Sequence, residues 1–440
     1  MRKRTYGTLM MLAACVAVLS AQPGPPPPPR PPQLPPLPPQ QQQQQGGQAQ
    51  AGAPLRGLTI GELTLFNKGR DAFEEVDAVA DGLGPRFNLD SCVGCHSQPA
   101  AGGSSPAVNP QIAVATRMGA LNRVPSFLQL DGPVRVARFR RKADGTPDGG
   151  VHSLFTIAGR GDAPVDCRIA QPDFTNAGNI VFRIPTPVFG LGLIEAIPDS
   201  TLRANLASNA ASKLAMGIGG RFNTNGNDGT ITRFGWKAQN KSLLLFSGEA
   251  YNVEVGITNE LFPQEREEDE ACAVTASTED RTDTVTGEAS DVELFAQFMR
   301  WLAPPRPAPS DAAIERGRAL FASTGCAACH TPLLRTGRNA SAALNAQDVA
   351  LYSDLALHRM GDRLNDGVAQ GDARGDDWRT APLWGLGQRL FFLHDGRARD
   401  LTDAIRQHDS PNSEARQVVG NFNALPAQQM QDLLAFLRSL

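Results

Sequence analysis

The chain lacks the features that would draw it to nucleic acid or hold it across a membrane. Lys and Arg number 42 against 45 Asp and Glu, a net charge of −3. The basic residues gather in no stripe, so the electrostatic footprint of a nucleic-acid binder is missing. Long apolar runs are missing as well. The longest, Leu9 to Ala21, has 13 residues, where about 20 are needed to span a bilayer. Histidine (6) and cysteine (7) are scarce among 440 residues, so a pattern that uses both is hard to produce by chance. What remains is a chain long enough for two to three globular domains.

The N-terminus reads as an export signal over residues 1–21. Met1-Arg2-Lys3-Arg4 supplies positive charge ahead of the short apolar run, the order of a secretory signal peptide. Two processing routes are open: cleavage near Ser20-Ala21, or lipidation of Cys15, because Leu12-Ala13-Ala14-Cys15 resembles a bacterial lipobox. Residues 22–55 are rich in Pro, Gln and Gly and have almost nothing to bury. They read as a semi-rigid tether holding the folded part away from a membrane or wall. Export of this kind points to the periplasm.

Four of the seven cysteines fall in two identical patterns, Cys92-Val-Gly-Cys95-His96 and Cys326-Ala-Ala-Cys329-His330. C-x-x-C-H is the attachment signature of c-type haem. The two thiols add across the two vinyl groups, and the adjacent imidazole reaches the iron as its proximal ligand. A structural zinc site would need a second Cys/His pair nearby, and a redox dithiol needs no histidine after its second cysteine. The motifs therefore predict two covalent haems, with His96 and His330 as proximal ligands. Cys167 and Cys272 remain. In an oxidising compartment a disulfide is their simplest pairing, with two buried free thiols as the alternative.

A weak internal duplication organises the rest. Each half opens with an apolar segment leading to its haem motif, Leu65 through Phe73 and Gly317 through Phe321. Each continues with a turn segment, Arg183 to Gly192 and Arg379 to Gly387, and closes with an amphipathic helix, Glu293 to Leu302 and Asp432 to Leu440. A proline-rich linker at 303–311 separates a haem 1 domain at 56–302 from a haem 2 domain at 312–440. The predicted fold is mainly α, two cytochrome c-like domains, the first enlarged by β-hairpins at Val134 to Lys142 and Val151 to Ile157. When Trp236 is set against His394, Leu243 meets Leu401 seven residues on, and Ala250 meets His408 at fourteen. If that position faces the distal side of each haem, haem 2 is capped by His408 and haem 1 has an open face. A capped iron transfers electrons, and an open one can bind peroxide or oxygen.

Several segments carry a family resemblance: Cys92-VGCHSQPAAGGSS-Pro106, Phe182-RIPTPVFGLGLIEA-Ile197, Arg233-FGWKA, Val255-GITNELFP, Leu357-HRMG and Phe392-LHDGRA. Together they resemble the di-haem cytochrome c peroxidase superfamily, in particular its di-haem oxidoreductase branch, over roughly residues 60 to 440. The resemblance implies that His408 stands where relatives carry an axial Met, with Met360 as the runner-up ligand, and that His394 lies near haem 2 without ligating it. It implies Trp236 as an electron relay between the haems and Glu254 as a distal acid/base. Phe246 departs from the catalytic Gln of relatives, and Arg389-Leu390-Phe391 departs from their calcium motif, so calcium is not expected. His358 reads as structural, and His152 as a core histidine or a neighbour of haem 1. The implied activity is reduction of hydrogen peroxide at haem 1, with a small redox protein as electron donor. Two other readings stay open: a di-haem oxygenase acting on an apolar substrate, and a non-enzymatic electron carrier.

Overall fold

The computed structural model describes residues 51–84, 89–117, 119, 123–142, 144–147, 166–167, 171–264, 270–273 and 287–440. The export signal, the lipobox and nearly all of the tether lie outside these residues, as does the 151–157 run with its His152. Among the described residues no helix is long and apolar enough to cross a membrane.

Helices form where capping residues meet apolar spacing. Thr59 and Glu62 make a reciprocal capping box that starts helix Ile60–Glu74, and Ser290 with Glu293 does the same for helix Asp291–Trp301; each box satisfies backbone N–H groups that the first turn leaves unpaired. Asp311 caps helix Ala312–Ser323 through the Ile314 N–H at 2.9 Å. Helix Ala427–Ser439 completes the second half. Among the described residues the protein is mainly helical, with three two-stranded antiparallel sheets: Val136–Phe139 with Ile180–Arg183, Leu334–Arg335 with Asp348–Val349, and Leu357–Arg359 with Asp377–Arg379.

In each half the opening helix crosses the closing helix at a glycine. A Cβ on Gly69 would lie 2.2 Å from the Leu294 carbonyl oxygen, and one on Gly317 would lie 2.0 Å from that of Asp432. Four residues beyond each glycine an aromatic side chain enters the core. Phe73 packs 4.8 Å from Phe298, and Phe321 packs 5.4 Å from Phe436. The turn segments dock on the same closing helices: the Gly190 N–H donates to Leu302 O at 3.0 Å, and Gly385 N–H to Leu440 O at 2.8 Å. Gly192 and Gly387 lie so close that a Cβ would meet the Arg300 and Arg438 carbonyls at 2.0 and 1.9 Å. Phe66, Phe73, Phe295 and Phe298 anchor one buried cluster, and Phe321, Phe422, Leu433 and Phe436 anchor another.

Two expectations change. The strand predicted at Val134 to Lys142 does not fold back on itself as a hairpin. Its core, Val136–Phe139, pairs with Ile180–Arg183, with Val136 opposite Arg183. The turn after it closes only one bridge, between Arg141 and Pro147. The last residues of the predicted tether also do not trail away. Leu55 N–H donates to Trp301 O at 2.7 Å and Ala303 N–H to Ala53 O at 2.9 Å, so the closing helix of the first half gains a strand-like partner for its C-terminal backbone groups. Cys167 and Cys272 form a disulfide and are both buried.

Candidate functional site

Two cavities hold the two C-x-x-C-H motifs. The first, of about 130 Å³, is lined by Cys92, Cys95 and His96. The second, of about 230 Å³, is lined by Cys326, Cys329 and His330. In both, the imidazole is anchored through Nδ1: that of His96 lies 3.0 Å from the Gly103 carbonyl oxygen and that of His330 2.9 Å from the Tyr352 carbonyl oxygen. An Nδ1–H donated to a carbonyl fixes the tautomer and leaves the Nε2 lone pair for a metal. Burial pushes both histidines down to about 4, against the raising pull of backbone carbonyls, so both are neutral near pH 7, the form that binds a metal. Paired thiols beside such an imidazole in an apolar cavity fit a c-type haem.

The helices after the two lead residues match in position and differ at their ends. Ser242 caps helix Leu243–Ala250, and Asp400 caps helix Leu401–Gln407 with His408 as its C-cap. Ala250 lines the first cavity and His408 the second. The His408 Nδ1 is tied to Ala404 O at 2.7 Å, which again leaves Nε2 unused, and burial lowers its pKa.

Beyond Ala250 the first helix winds into a π-helical turn, Tyr251–Val255, a geometry that recurs at functional sites. This turn carries Glu254 on the wall of the first cavity. Burial, reinforced by the neighbouring Glu249 and partly offset by Arg138, raises the Glu254 carboxyl to about 7. Burial raises the Cys92 and Cys95 thiols, and Glu254 is the foremost charge acting on either. Phe246 lines the same cavity with its ring 6.1 Å from Phe234.

Trp236 lines both cavities. Its Nε1–H donates to Ile184 O at 2.9 Å, which fixes the indole between them. On the second cavity, His394 is stacked on Trp378 at 3.8 Å, and burial lowers it to about 3; it is held as a neutral packing partner. Met360 is buried beside Trp378 and also lines this cavity. His358 is occupied on both sides: Nε2 lies 2.9 Å from Asp354 and Nδ1 2.7 Å from Glu414. Burial opposes its charge, but the Asp354 carboxylate overrides this and holds the imidazole well above its ordinary range. Both of its ring nitrogens are engaged, so it has no lone pair to offer a metal.

Sequence reasoning missed the polar and charged groups around these cavities. Arg138, Arg183, Gln239 and Glu249 line the first, and Arg379 and Arg389 the second; of these Arg183 and Arg379 are buried. Arg183 pairs with Asp366 at 2.7 Å, and Asp366 also meets Lys237 at 3.1 Å. A signal existed: each of the two turn segments opens on an arginine, Arg183 and Arg379.

No curated protein matches the chain. Solved structures give faint likenesses only. One is hydrazine synthase of Kuenenia stuttgartiensis, 14% identical over 90% of this chain and 97% of that one, with a TM-score of 0.37. Another is the diheme peroxidase BthA of Burkholderia thailandensis, 16% identical over 60% and 88%, with a TM-score of 0.31. A third is a MauG-like protein associated with microbial copper homeostasis, 17% identical over 56% and 89%, with a TM-score of 0.29. The family comparison is of another order. Residues 137–440, well over half of the chain, match the family described as "Di-haem oxidoreductase, putative peroxidase". The span begins after Cys92-Val-Gly-Cys95-His96, so the first motif stands on its own residues and the second lies inside the match. The chain belongs to the di-haem oxidoreductase family.

Proposed function

We propose that this chain is an exported di-haem c-type oxidoreductase of peroxidase type, reducing hydrogen peroxide at an open haem 1 with electrons relayed through a six-coordinate haem 2. The observation that carries this reading is the unequal ending of two equivalent helices, Ala250 at the first cavity and His408 at the second. Covalently held haem would supply one-electron redox chemistry at both sites and peroxide reactivity at the open one. Cys92, Cys95 and His96 would hold haem 1; Cys326, Cys329, His330 and His408 would hold haem 2.

The chain's own residues supply the rest. Peroxide reduction consumes two electrons and two protons and yields two waters. The Glu254 carboxylate accepts the proton of the incoming peroxide and returns it to the outer oxygen as the O–O bond breaks; a pKa near 7 suits both steps. Trp236, on the wall of both cavities, gives electrons a path between them. A small redox protein outside the chain is the donor. The domain division at 303–311 and the periplasmic site of action belong to the same reading, as does lipidation at Cys15 as a membrane anchor.

The test is an EPR and optical spectrum of the resting holoprotein before and after peroxide. One high-spin and one low-spin ferric haem, with the high-spin signal lost on adding peroxide, is the expected result. Two low-spin haems inert to peroxide would sink the reading and leave an electron carrier. A stable dioxygen complex would instead support an oxygenase acting on an apolar substrate, the reading that Phe246 on the cavity wall favours.

A further inference from the structure

Three arginines are buried among the described residues: Arg183, Arg233 and Arg379. Arg183 and Arg233 each have a carboxylate partner, Asp366 and Asp199. Arg379 has none. Its Nε donates to Gly235 O at 2.9 Å and Nη1 to Thr380 O at 3.3 Å. Close by, the half-buried Arg389 donates through Nη2 to Pro382 O at 2.8 Å and to Trp384 O at 3.4 Å. Backbone carbonyls solvate a guanidinium but do not neutralise it, and two like charges side by side repel. Burial pushes both guanidinium groups down to about 10, and Arg389 adds to the effect on Arg379. Such a pair, one guanidinium buried and the other half-buried, is unfavourable until an anion joins it.

Both arginines line the second cavity, and both also border a small void of about 20 Å³ beside Trp236. The rest of the second cavity offers no carboxylate to them. We propose that Arg379 and Arg389 form a carboxylate clamp at the second cavity, and that the two propionates of the haem carried by Cys326 and Cys329 are their missing counter-ions. Two guanidinium groups against two carboxylates balance the charge, and the planar fork of arginine matches a carboxylate in two parallel bonds. Two other cations near this cavity are already committed: Arg183 to Asp366, and Lys237 to Asp366 and to the carbonyls of Arg374, Gly375 and Asp377. The clamp also reaches the relay. Arg379 binds the Gly235 carbonyl through its side chain, and its backbone N–H donates to Trp236 O at 3.1 Å, so the residue that holds the haem edge also positions Trp236.

The inference rests on haem 2 occupying this cavity. The experiment compares full-length wild-type holoprotein with Arg379→Gln, Arg389→Gln and Arg379→Lys. Covalent haem is counted by pyridine haemochrome, haem 2 is titrated by spectroelectrochemistry, and propionate bending is read by resonance Raman. Loss of a fixed positive charge at the propionates would disfavour the reduced form. Each Gln variant is expected to weaken the haem 2 reduction equilibrium about tenfold, a 59 mV fall for one electron, and to shift its propionate mode. Arg379→Lys keeps the charge and holds the potential, but moves the propionate mode because the fork is gone. Unchanged potential and unchanged mode in both Gln variants, with two haems per chain, would overturn the clamp; so would shifts confined to haem 1. If Arg379→Gln fails to retain haem, Arg389→Gln on its half-buried side chain decides alone. A wild-type chain with no haem at Cys326 and Cys329 overturns the clamp and the functional reading together, and the wild-type haem count reveals it before any variant is made.

Discussion

The two cavities share a scaffold and differ in what they hold against it. Both sit between an opening helix and a closing helix that meet at a glycine, and both receive a capped helix from the same point after the lead residue. At the end of that helix one half places a methyl group and the other an imidazole. The surrounding walls diverge too. The first cavity gathers Glu249, Glu254 and Arg138, the second His358 between two carboxylates and an arginine pair. Packing positions stayed alike because a Cβ at Gly69 or Gly317 has nowhere to go, whereas the cavity walls were free to specialise.

The most direct way to break the comparison is to exchange the helix ends. Ala250→His places an imidazole where His408 stands in the other half, with Phe246 O four residues back to hold its Nδ1 as Ala404 O holds that of His408. The expected outcome is a low-spin haem 1 in the EPR spectrum and loss of peroxide consumption. His408→Ala should make haem 2 high-spin while leaving haem 1 as it was. A haem 1 that stays high-spin in Ala250→His would show that position 250 does not face the iron.

Glu254→Gln keeps the shape of the first cavity and removes the titrating group. A positioned general acid/base contributes about 10²–10⁴-fold to rate, and peroxide turnover should fall within that range. The pH profile sharpens the assignment. Burial raises this carboxyl to about 7, so the basic form that takes the peroxide proton gains population as pH rises through 7. In wild type kcat/KM should climb across that window, and in Glu254→Gln the limb should vanish. The same shift acts on stability with the opposite slope: between the ordinary value of 4.5 and about 7 the folded state holds a proton that the unfolded state has released, so stability falls as pH rises there.

The scaffold was legible in the sequence because its determinants are local. Glycine, aromatic and C-x-x-C-H recur in the same order, with glycine and aromatic four residues apart in both halves, and the Leu243/Leu401 register was enough to set Ala250 against His408. Trp236 and Glu254 were singled out by the family resemblance; Trp236 lines both cavities and Glu254 the first. The illegible parts depend on distant partners. Nothing near Val136 says that its strand will choose Ile180–Arg183 over the turn beside it; burial of Ala137 and Val181 on the assembled sheet decides that. An arginine in a sequence reads as a surface residue, and only the fold brings Arg183 to Asp366 across 183 positions or leaves Arg379 buried without a carboxylate.

His358 is part of the same divergence of the walls: the described first cavity has no counterpart to its buried carboxylate–imidazole–carboxylate bridge. His358→Leu would leave Asp354 and Glu414 facing each other with backbone N–H donors but no cation between them, and removing one partner of a buried ionic set costs about 3–5 kcal/mol. Denaturant unfolding of the holoprotein should show a loss of that size. The contribution has a pH sign. Because the folded imidazole is held well above 6.5, the stabilisation is fully present below 6.5 and fades as pH rises through the raised value, so the gap between wild type and His358→Leu should narrow in alkali.

The smallest effect tests the shared scaffold itself. Gly69→Ala and Gly317→Ala each insert one methyl group at a helix crossing where the nearest carbonyl would lie 2.2 or 2.0 Å away. Overpacking a tight contact costs about 1–3 kcal/mol, and the two substitutions should cost nearly the same if the halves are equivalent. The readings at the haems should separate them. Phe73 lies 6.0 Å from His96, and Phe321 lies 6.5 Å from His330, each one helical turn beyond its glycine. A displaced opening helix therefore pushes its own aromatic side chain against its own imidazole. Gly69→Ala should broaden the high-spin EPR signal and leave the low-spin one intact, and Gly317→Ala should do the reverse. If either substitution perturbed both signals equally, the two helix pairs would be one mechanical unit and the comparison between the halves would hold in shape alone.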